Sequence, residues 1–513
     1  MRQIKIGNKL IGQGRPVFVI AEVGSNHNGK LKQAKELIDV AKYAGADAVK
    51  FQTFSAENLY SAKTPVMSYL RKKRLIKKGE TVYDLFKKVE LPRDWHGLLF
   101  EYCRKKGIIF LSTPFDIEAV DLLEDVGVQA YKIASFEITH LPLLEHTAGK
   151  KKPIILSTGM ADLKDIETAL KTIYKQANHD VILLHCAINY PPEYADLNLR
   201  AIQTMRRKFN LPVGFSDHTL GITADIAAVS LGACVIEKHF TLNRKLPGLD
   251  HPFALEPEEL KAMVVAIRDT EASLGSRVKS HTKAEEELYR LARRSLVAAC
   301  DIRRGEIITN SMIAVKRPGY GIHPKMANEV IGRVTKTNIE KDDILTWPLL
   351  RKVNIRPASW HDAQDIWKWR NDKITRKFSF NTSRIPLKSH LVWFKKVLAD
   401  KKRKIFIIQE DGRSVGMVRF DIMPDNDKTA VININIAPKK RGQGLGLSAT
   451  KLSSKHAFDY LNIKTVIAKV KKDNTASLKM FSRAWFRQTE KDNEVVTMEL
   501  SNSDLKKGPG FRP

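Results

Sequence analysis

Eight short runs rich in apolar and β-branched residues recur through the first half of this chain: PVFVIAEV, ADAVKFQ, IIFLSTPF, QAYKIAS, KPIILSTG, VILLHC, LPVGFSD and ACVIEKHF. Amphipathic stretches with helical spacing separate most of them, for example LKQAKELIDVAKYAGA and TADIAAVSLGA. Alternation of this kind argues for a parallel sheet, because one parallel strand reaches the next only through a crossover. The runs are almost continuously apolar, which suits strands covered on both faces. Eight such units over about 250 residues match the size of a (β/α)8 barrel. A doubly wound open sheet is the alternative.

Catalytic groups in such barrels gather at the C-terminal ends of the strands. Those ends carry Glu22, Lys50 with Gln52, Thr113, Lys132 with Ser135, Ser157, His185, Ser216 with His218, and Glu237 with His239. A single polar residue there means little, since strands normally end in one. A full ring with two lysines, several hydroxyls, two histidines and a carboxylate has the chemistry of a small-anion pocket beside a metal. Lys50 and Lys132 suit a phosphate and a carboxylate, with Thr113, Ser135, Ser157 and Ser216 donating hydrogen bonds. Neutral imidazole is the commonest metal ligand, so His218 and His239 suit a divalent ion able to polarise a carbonyl. Plainer readings exist for each residue: a lysine snorkelling at a strand end, or a histidine capping a turn. An aldolase-like barrel using Lys132 as a Schiff base is a further reading.

The motifs AEVGSNHNG, GADAVKFQ, STPFD, YKIASFE, ILSTGM, SDHTLG, EKHFTL and PGLDHPFALEPEEL occur in this order over roughly residues 1–350. Together they resemble the sialic acid (nonulosonate) synthases. That family condenses phosphoenolpyruvate with an N-acylated amino sugar, giving a nine-carbon 2-keto acid and phosphate. The resemblance implies that His218 and His239 bind Mn2+ or Mg2+. It implies that Lys50, Thr113, Lys132, Ser135, Ser157 and Ser216 hold phosphoenolpyruvate. It further implies that Glu22, Gln52, Tyr190 and Asp250 contact the sugar or help with proton transfer, with Glu22 the choice for general base. One departure stands out. Where the family often has Asn near the pyruvate carboxylate, this chain has Ile188; Asn189 follows, but strand alternation turns it to the other face. Some segments (YKIASFEITHLPLL, LFKKVELPRDWH) look closer to the pseudaminate synthases. KLPGLDHPFALEPEEL looks equally like the legionaminate and N-acetylneuraminate branches. The pseudaminate type ranks first.

The barrel is expected over residues 1–270, followed by a polar, charged linker at 271–289. Residues 290–352 form a small module in which Gly and Pro punctuate short strands. It resembles the antifreeze-like (SAF) domain of the same synthases. There the arginine of KRPG, here Arg317, reaches the sugar site of the partner subunit, which implies a domain-swapped homodimer.

Composition shifts again near residue 352, and residues 353–500 start a new pattern. IFIIQEDGRSVGMVRFDIM reads as a hairpin turning at Asp411-Gly412. AVININIAPKKRGQGLGLSATKLSSKHAFDYL reads as strand, Gly-rich turn and helix. Free N–H groups at a helix start bind phosphate, and glycines let the backbone come close. This arrangement resembles the GNAT acetyltransferases, whose R-x-x-G-x-G turn holds the pyrophosphate of acetyl-CoA. The matching residues are Arg441, Gly444 and Gly446, with Gly442 and Gln443 between, and later Asn474 and Ser477. Two positions depart. The usual Tyr, an acid for the CoA thiolate, is Phe481, and the usual Gly is Trp485. The WKWRND segment (Trp367, Trp369, Arg370, Asn371) resembles GNAT enzymes acting on amino sugars. The expected product of the whole chain is a two-activity enzyme: a metal-dependent synthase and an acetyl-CoA-dependent amino-sugar acetyltransferase. The alternative is a synthase carrying a CoA-binding module without turnover.

A net charge of +30 raises nucleic-acid binding. Lysines are scattered throughout (RKKRLIKKG, GKKKP, ADKKRK), with no binding motif or aromatic-interleaved stripe, so no nucleic-acid partner is expected. Anionic substrates would be drawn by such a field. Cys103, Cys186, Cys234 and Cys300 show no zinc or C-x-x-C spacing, which fits reduced thiols. No signal peptide and no 18-residue apolar run are visible, so a cytoplasmic protein without a membrane partner is expected. Residues 501–513 read as a disordered tail.

Overall fold

An antiparallel hairpin of β1 (Ile4–Ile6) and β2 (Lys9–Ile11) precedes eight parallel strands. These are β3 (Phe18–Glu22), β4 (Ala48–Thr53), β5 (Ile109–Pro114), β6 (Tyr131–Ile133), β7 (Ile154–Ser157), β8 (Val181–Cys186), β9 (Val213–Asp217) and β10 (Val235–His239). The computed structural model describes residues 2–61, 63–67, 70, 71, 76, 77, 79–492 and 494–507. The strands are hydrogen-bonded in the order β5-β4-β3-β10-β9-β8-β7-β6. β5 and β6 then lie side by side, so the sheet curls into a nearly closed barrel. The alternation in the sequence is thus a barrel and not an open sheet.

Helices clothe the outside. The helix Leu31–Ala44 turns Ala34, Leu37, Ile38 and Ala41 inward and stops at Gly45, whose φ of 84° is the left-handed conformation that favours glycine. The helix Leu163–Lys175 starts from a reciprocal cap between Asp162 and Asp165. Side chains of alternate strand residues point to the barrel axis. Phe18, Ile20, Ala48, Leu111, Ala130, Ile155, Ile182, Leu184 and Val235 fill its lower interior together with Ile4, Ile6 and Ile11 of the hairpin. The hairpin therefore plugs the N-terminal end of the barrel with apolar side chains. One residue-pair further along each strand, the inward positions turn polar.

Residues Met1–Val278 make one compact unit and Lys279–Pro513 another. In the first, the helix Pro257–Leu274 runs into the segment expected as a linker, and short helical turns at Lys283–Glu285 and Glu286–Leu291 follow in the second. In the second unit, β11 (Ser295–Ala298) pairs with β12 (Ile313–Lys316), and β13 (Val334–Thr335) with β14 (Leu350–Arg351). These short strands surround a core of Leu296, Ala298, Ile302, Ile308, Ile322, Val330, Ile339, Leu345 and Leu350.

A seven-stranded sheet follows: β15 (Val353–Pro357), β16 (Arg403–Glu410), β17 (Arg413–Met423), β18 (Asn426–Ile436), β19 (Thr465–Lys471), β20 (Arg487–Lys491) and β21 (Val495–Ser501), in the order β15-β16-β17-β18-β19-β21-β20. Only β18 and β19 pair in parallel. Asp411 and Gly412 turn the β16–β17 hairpin with φ of 46° and 83°, as their dipeptide promised. The sequence break near residue 352 is not a packing break. Val334 shares a core with Val353, Ile408, Val415, Leu445 and Ala449, with Ile307 packed against it. The expected tail is also shorter than 501–513: Asn502–Lys507 form a helix and Leu505 enters the core of the sheet. The rest of that segment lies outside the described residues. Among the described residues, no helix is long and apolar enough to cross a membrane.

Candidate functional site

The polar ring read from the strand ends converges at the C-terminal mouth of the barrel, except for His185, which turns away from the axis, stacks on Phe215 and bonds the Leu197 carbonyl through Nε2 at 2.6 Å. The ring's centre is a buried charge cluster. Lys50 Nζ lies 2.8 Å from Glu22 Oε2 and 3.6 Å from Glu237 Oε2, and donates to Thr113 Oγ1 at 3.2 Å. Lys132 Nζ lies 3.6 Å from Glu237 Oε1, which also accepts from Ser216 Oγ at 3.0 Å. Gln52 Nε2 donates to Glu22 Oε1 at 2.8 Å. Glu237 was visible as a strand end but not as a partner of both lysines; that role depends on strands far apart in sequence.

Burial and the charge of Glu237 push the Glu22 carboxyl up to about 7, although Lys50 opposes the shift. Burial also works to raise Glu237, but Lys132 and Lys50 outweigh it and hold that carboxyl at about 2. Lys132 is held below its usual range by burial. For Lys50, the two carboxylates outweigh burial and keep the ammonium charged. Lys50 stays cationic and Glu237 stays ionised, so protonation of Glu22 shifts the cluster toward positive charge. These side chains are nearly fully buried, so their charges are weakly screened and act strongly on an anion beside them.

The hydroxyls line the adjoining side. Ser157 Oγ is buried with no protein partner. Ser135 Oγ accepts from the Gly159 amide at 2.9 Å and sits 3.0 Å from Cys186 Sγ. A Cβ on Gly159 would come within 2.5 Å of Ile188 Cγ2, so the chain is packed tightly here. Ile188 thus presents a methyl group where an amide was expected, and Asn189 is exposed and does not replace it.

His218 and His239 stand next to this cluster with ring centroids 5.5 Å apart. Both are buried and held neutral by desolvation, His218 down to about 4. His218 Nδ1 bonds the Ala187 carbonyl at 2.8 Å, which leaves Nε2 to face the mouth. His239 Nδ1 is buried without a protein partner. Two neutral imidazoles with open nitrogens fit a divalent ion. Among the described residues no group of three or more His, Cys, Asp or Glu gathers to hold one.

Tyr190 packs 4.4 Å from the His218 ring, and Phe253, which sequence reasoning did not single out, packs 5.1 Å from His239. Asp250 Oδ2 accepts from the amide and hydroxyl of Ser25, each at 2.8 Å, and lies against Gly24 beside the His239 ring. Behind the rim, the buried Lys238 bonds Asp217 and the Thr219 carbonyl, tying together the strand ends that carry the two histidines. Arg317 is exposed in the second unit.

A second site lies in the seven-stranded sheet. β18 and β19 pair only from Thr429–Val431 to Thr465–Ile467 and then diverge, opening a cleft between parallel strands. The turn after β18 begins the helix Leu445–Tyr460. Gly442 and Gly444 take φ of 72° and 81° there. Among the described residues, the amides of Gly442, Gln443 and Gly444 donate to no protein acceptor. Open backbone amides at a glycine-rich helix start are the kind of group that can receive a phosphate. A Cβ on Gly446 would come within 2.8 Å of Met480 Sδ, so that glycine serves helix packing.

Arg441 is committed inward, to the Ile436 carbonyl, Asp372 and Thr375, and braces the turn. Asn474 caps the helix Thr475–Arg483 by accepting from the Ser477 amide at 3.2 Å. Phe481 is buried against Phe486, 5.0 Å away. Trp485 takes the left-handed φ of 70° at the glycine position and covers the Lys451 ammonium at 3.8 Å. Trp367 and Asn371 both fasten the Ile385 carbonyl beside the cleft.

Comparison with known proteins agrees with this division. The chain matches the NeuB family over residues 37–279, the SAF domain over 293–351 and an acetyltransferase (GNAT) domain over 352–487. It is 44% identical to an N,N'-diacetyllegionaminic acid synthase of Legionella pneumophila, covering 66% of this chain and 96% of that one. It is 38% identical to a pseudaminic acid synthase of Campylobacter jejuni, covering 67% and 98%. A crystal structure of N-acetylneuraminic acid synthetase from Leptospira borgpetersenii, in complex with citrate, is 38% identical with a TM-score of 0.50, covering 56% of this chain and 94% of that one. With its barrel, its SAF domain and nearly the full length of these relatives matched, the chain belongs to the NeuB family and carries a GNAT acetyltransferase domain in addition.

Proposed function

We propose that the barrel condenses phosphoenolpyruvate with a 2,4-diacetamido-trideoxyhexose or an N-acetylmannosamine-type sugar, forming a nonulosonic acid and phosphate. The observation that carries this reading is the buried Lys50–Glu22–Glu237–Lys132 cluster beside the two open imidazoles. Lys50 and Lys132 hold the phosphate and carboxylate of phosphoenolpyruvate, and Thr113, Ser135, Ser157 and Ser216 donate to the remaining oxygens. His218 and His239 would hold Mn2+ or Mg2+, which when bound supplies Lewis-acid polarisation of the sugar aldehyde. Gln52, Tyr190 and Asp250 orient the sugar, and Arg317 reaches it from a partner subunit in a domain-swapped homodimer.

In the reaction, C3 of phosphoenolpyruvate bonds to the aldehyde carbon, and the aldehyde oxygen becomes a hydroxyl. Water adds to C2 and gives one proton to Glu22, which returns to the ionised form by passing a proton on to the former aldehyde oxygen. The C2–O bond to phosphate then breaks, the proton of the C2 hydroxyl leaves with the phosphate, and the ketone remains. Lysines fixed in place stabilise the developing negative charge without having to reorganise. Identity is higher to the legionaminic than to the pseudaminic acid synthase, which weighs toward the legionaminate branch against the preference drawn from local motifs.

The C-terminal domain, in this reading, binds acetyl-CoA at the Gly442–Gly446 turn and acetylates an amino group of a sugar precursor. Phe481 favours a second reading, a CoA-binding module without turnover, because a buried phenyl ring cannot protonate a thiolate.

Phosphate release from phosphoenolpyruvate is the test, run over a panel of acetamido sugars with Mn2+ and with chelator. His218→Ala and His239→Ala are expected to lose at least about 100-fold in rate, the scale of Lewis-acid stabilisation worth several kcal/mol. Unchanged rates in both would reject the metal assignment. Acetyl-CoA consumption by the full chain over 4-amino sugars separates the two readings of the second domain.

A further inference from the structure

The SAF domain does not merely precede the acetyltransferase; it is packed onto the turn that the acetyl-CoA reading assigns to the pyrophosphate. The contact is organised by Arg351, the last residue of β14. Arg351 is 2% exposed. Its Nη1 donates to Glu410 Oε1 at 3.0 Å, and its Nη2 donates to the carbonyls of Thr335 and Gln443. The other oxygen of Glu410 takes the Lys440 ammonium. One buried Arg–Glu pair thus holds both the start and the end of the turn. Alongside, Gly305 of the SAF domain lies against Gly444 so closely that a Cβ on either would meet the other's backbone at 2.7 Å.

The consequence follows from peptide geometry. In a trans peptide the C=O and the following N–H point in opposite directions. A hydrogen bond on the Gln443 carbonyl therefore fixes where the Gly444 N–H points: away from Arg351. Glycine at positive φ is permissive enough to let such a peptide rotate, so the turn does not by itself determine this direction. Arg351 does, by pulling the carbonyl to the SAF side.

We propose that Arg351, which lies outside the matched acetyltransferase sequence, is the positioning residue that presets the Gln443–Gly444 peptide so that its N–H faces the pyrophosphate of acetyl-CoA. This rests on the acetyl-CoA reading above. The acetyl-CoA-binding unit is then the SAF and acetyltransferase domains together. Arginine is required because its planar fork serves two acceptors at once, whereas a lysine ammonium keeps the charge beside Glu410 but cannot span both.

The test uses the full chain and two probes, CoA and S-acetylpantetheine, which lacks the pyrophosphate. In Arg351→Lys, CoA affinity is expected to fall about tenfold, the scale of a lost hydrogen bond to a charged donor. Affinity for S-acetylpantetheine and phosphate release by the barrel are expected to hold. Amide exchange at Gly442–Leu447 in the ligand-free protein is expected to quicken. Glu410→Gln, which frees Lys440 but leaves Arg351 a neutral acceptor, serves as the second variant and is expected to shift CoA affinity the same way by less. Unchanged CoA affinity in both variants would overturn the proposal, as would equal weakening of CoA and S-acetylpantetheine. Failure of the unaltered chain to bind CoA would overturn the acetyl-CoA reading and this inference with it.

Discussion

Glu22 and Glu237 are both buried carboxyls within reach of Lys50, yet their chemistry diverges. Glu237 has two ammonium groups and the Ser216 hydroxyl about it, so its negative charge is held down to about 2. Glu22 shares only Lys50, faces the charge of Glu237, and rises to about 7. One is a fixed counter-charge for the lysines; the other is poised to exchange a proton near neutrality. As the base, Glu22 must be ionised, so kcat/KM for phosphate release is expected to rise with pH through an acid limb near 7. Glu22→Gln is expected to lower the rate and remove that limb. A limb that persists unchanged in the variant would assign the proton transfer elsewhere. Sequence reasoning chose Glu22 as the base from the family resemblance, but the opposite charge states of the two carboxyls were not legible in it. Both residues read as strand ends, and what separates them is which ammonium groups the barrel brings across its axis.

Elements were far easier to read than the contacts between them. A parallel strand covered on both faces leaves a solid apolar word in the sequence, and all eight words became barrel strands. In the structure the rim side chains face inward because each lies two positions beyond an inward apolar one, Glu22 beyond Ile20 and Lys50 beyond Ala48. The β1–β2 hairpin was passed over because its two strands are only three residues each, IKI and KLI, and look like an ordinary start of a chain. Its role is set by what it meets. Ile4, Ile6 and Ile11 close the barrel floor beneath Phe18 and Ile20. Ile6→Ala is expected to cost about 2–5 kcal/mol of stability, the usual range for truncating a buried Ile. The phosphate-release rate of the folded enzyme should change little, because an apolar layer separates the plug from Lys50 and Glu22. Urea titration together with the initial rate checks both. A large rate loss at unchanged stability would mean that the plug sets the geometry of the rim.

At the scale of the molecule, the chain's sequence has three parts but its packing has two. The SAF strands resemble those of a separate module, and composition changes at residue 352, where the family match changes as well. Packing ignores that border: Val334, Val353, Ile408, Leu445 and Ala449 form one apolar cluster, and Arg351 is buried across it. Long-range clusters of this kind carry no local signature, so composition marked the border between the two matched domains but could not show that their cores merge. Cooperative unfolding follows shared core rather than sequence ancestry. Heating is therefore expected to give two transitions, one for residues 1–278 and one for 279–513, with Ser295–Ala298 and Val334–Thr335 exchanging their amides in step with β16 and β17. A ligand that binds only the folded state stabilises by RT ln(1 + [L]/Kd), about 2.7 kcal/mol at 100 times Kd. Acetyl-CoA at that level should raise the transition of the second unit, SAF strands included, and leave the barrel's where it was. Phosphoenolpyruvate with Mn2+ should raise the other. If the SAF strands melted with the barrel, or separately and untouched by acetyl-CoA, the apolar cluster across residue 352 would be too weak to join the two domains, and Arg351 would have lost its means of acting on the turn.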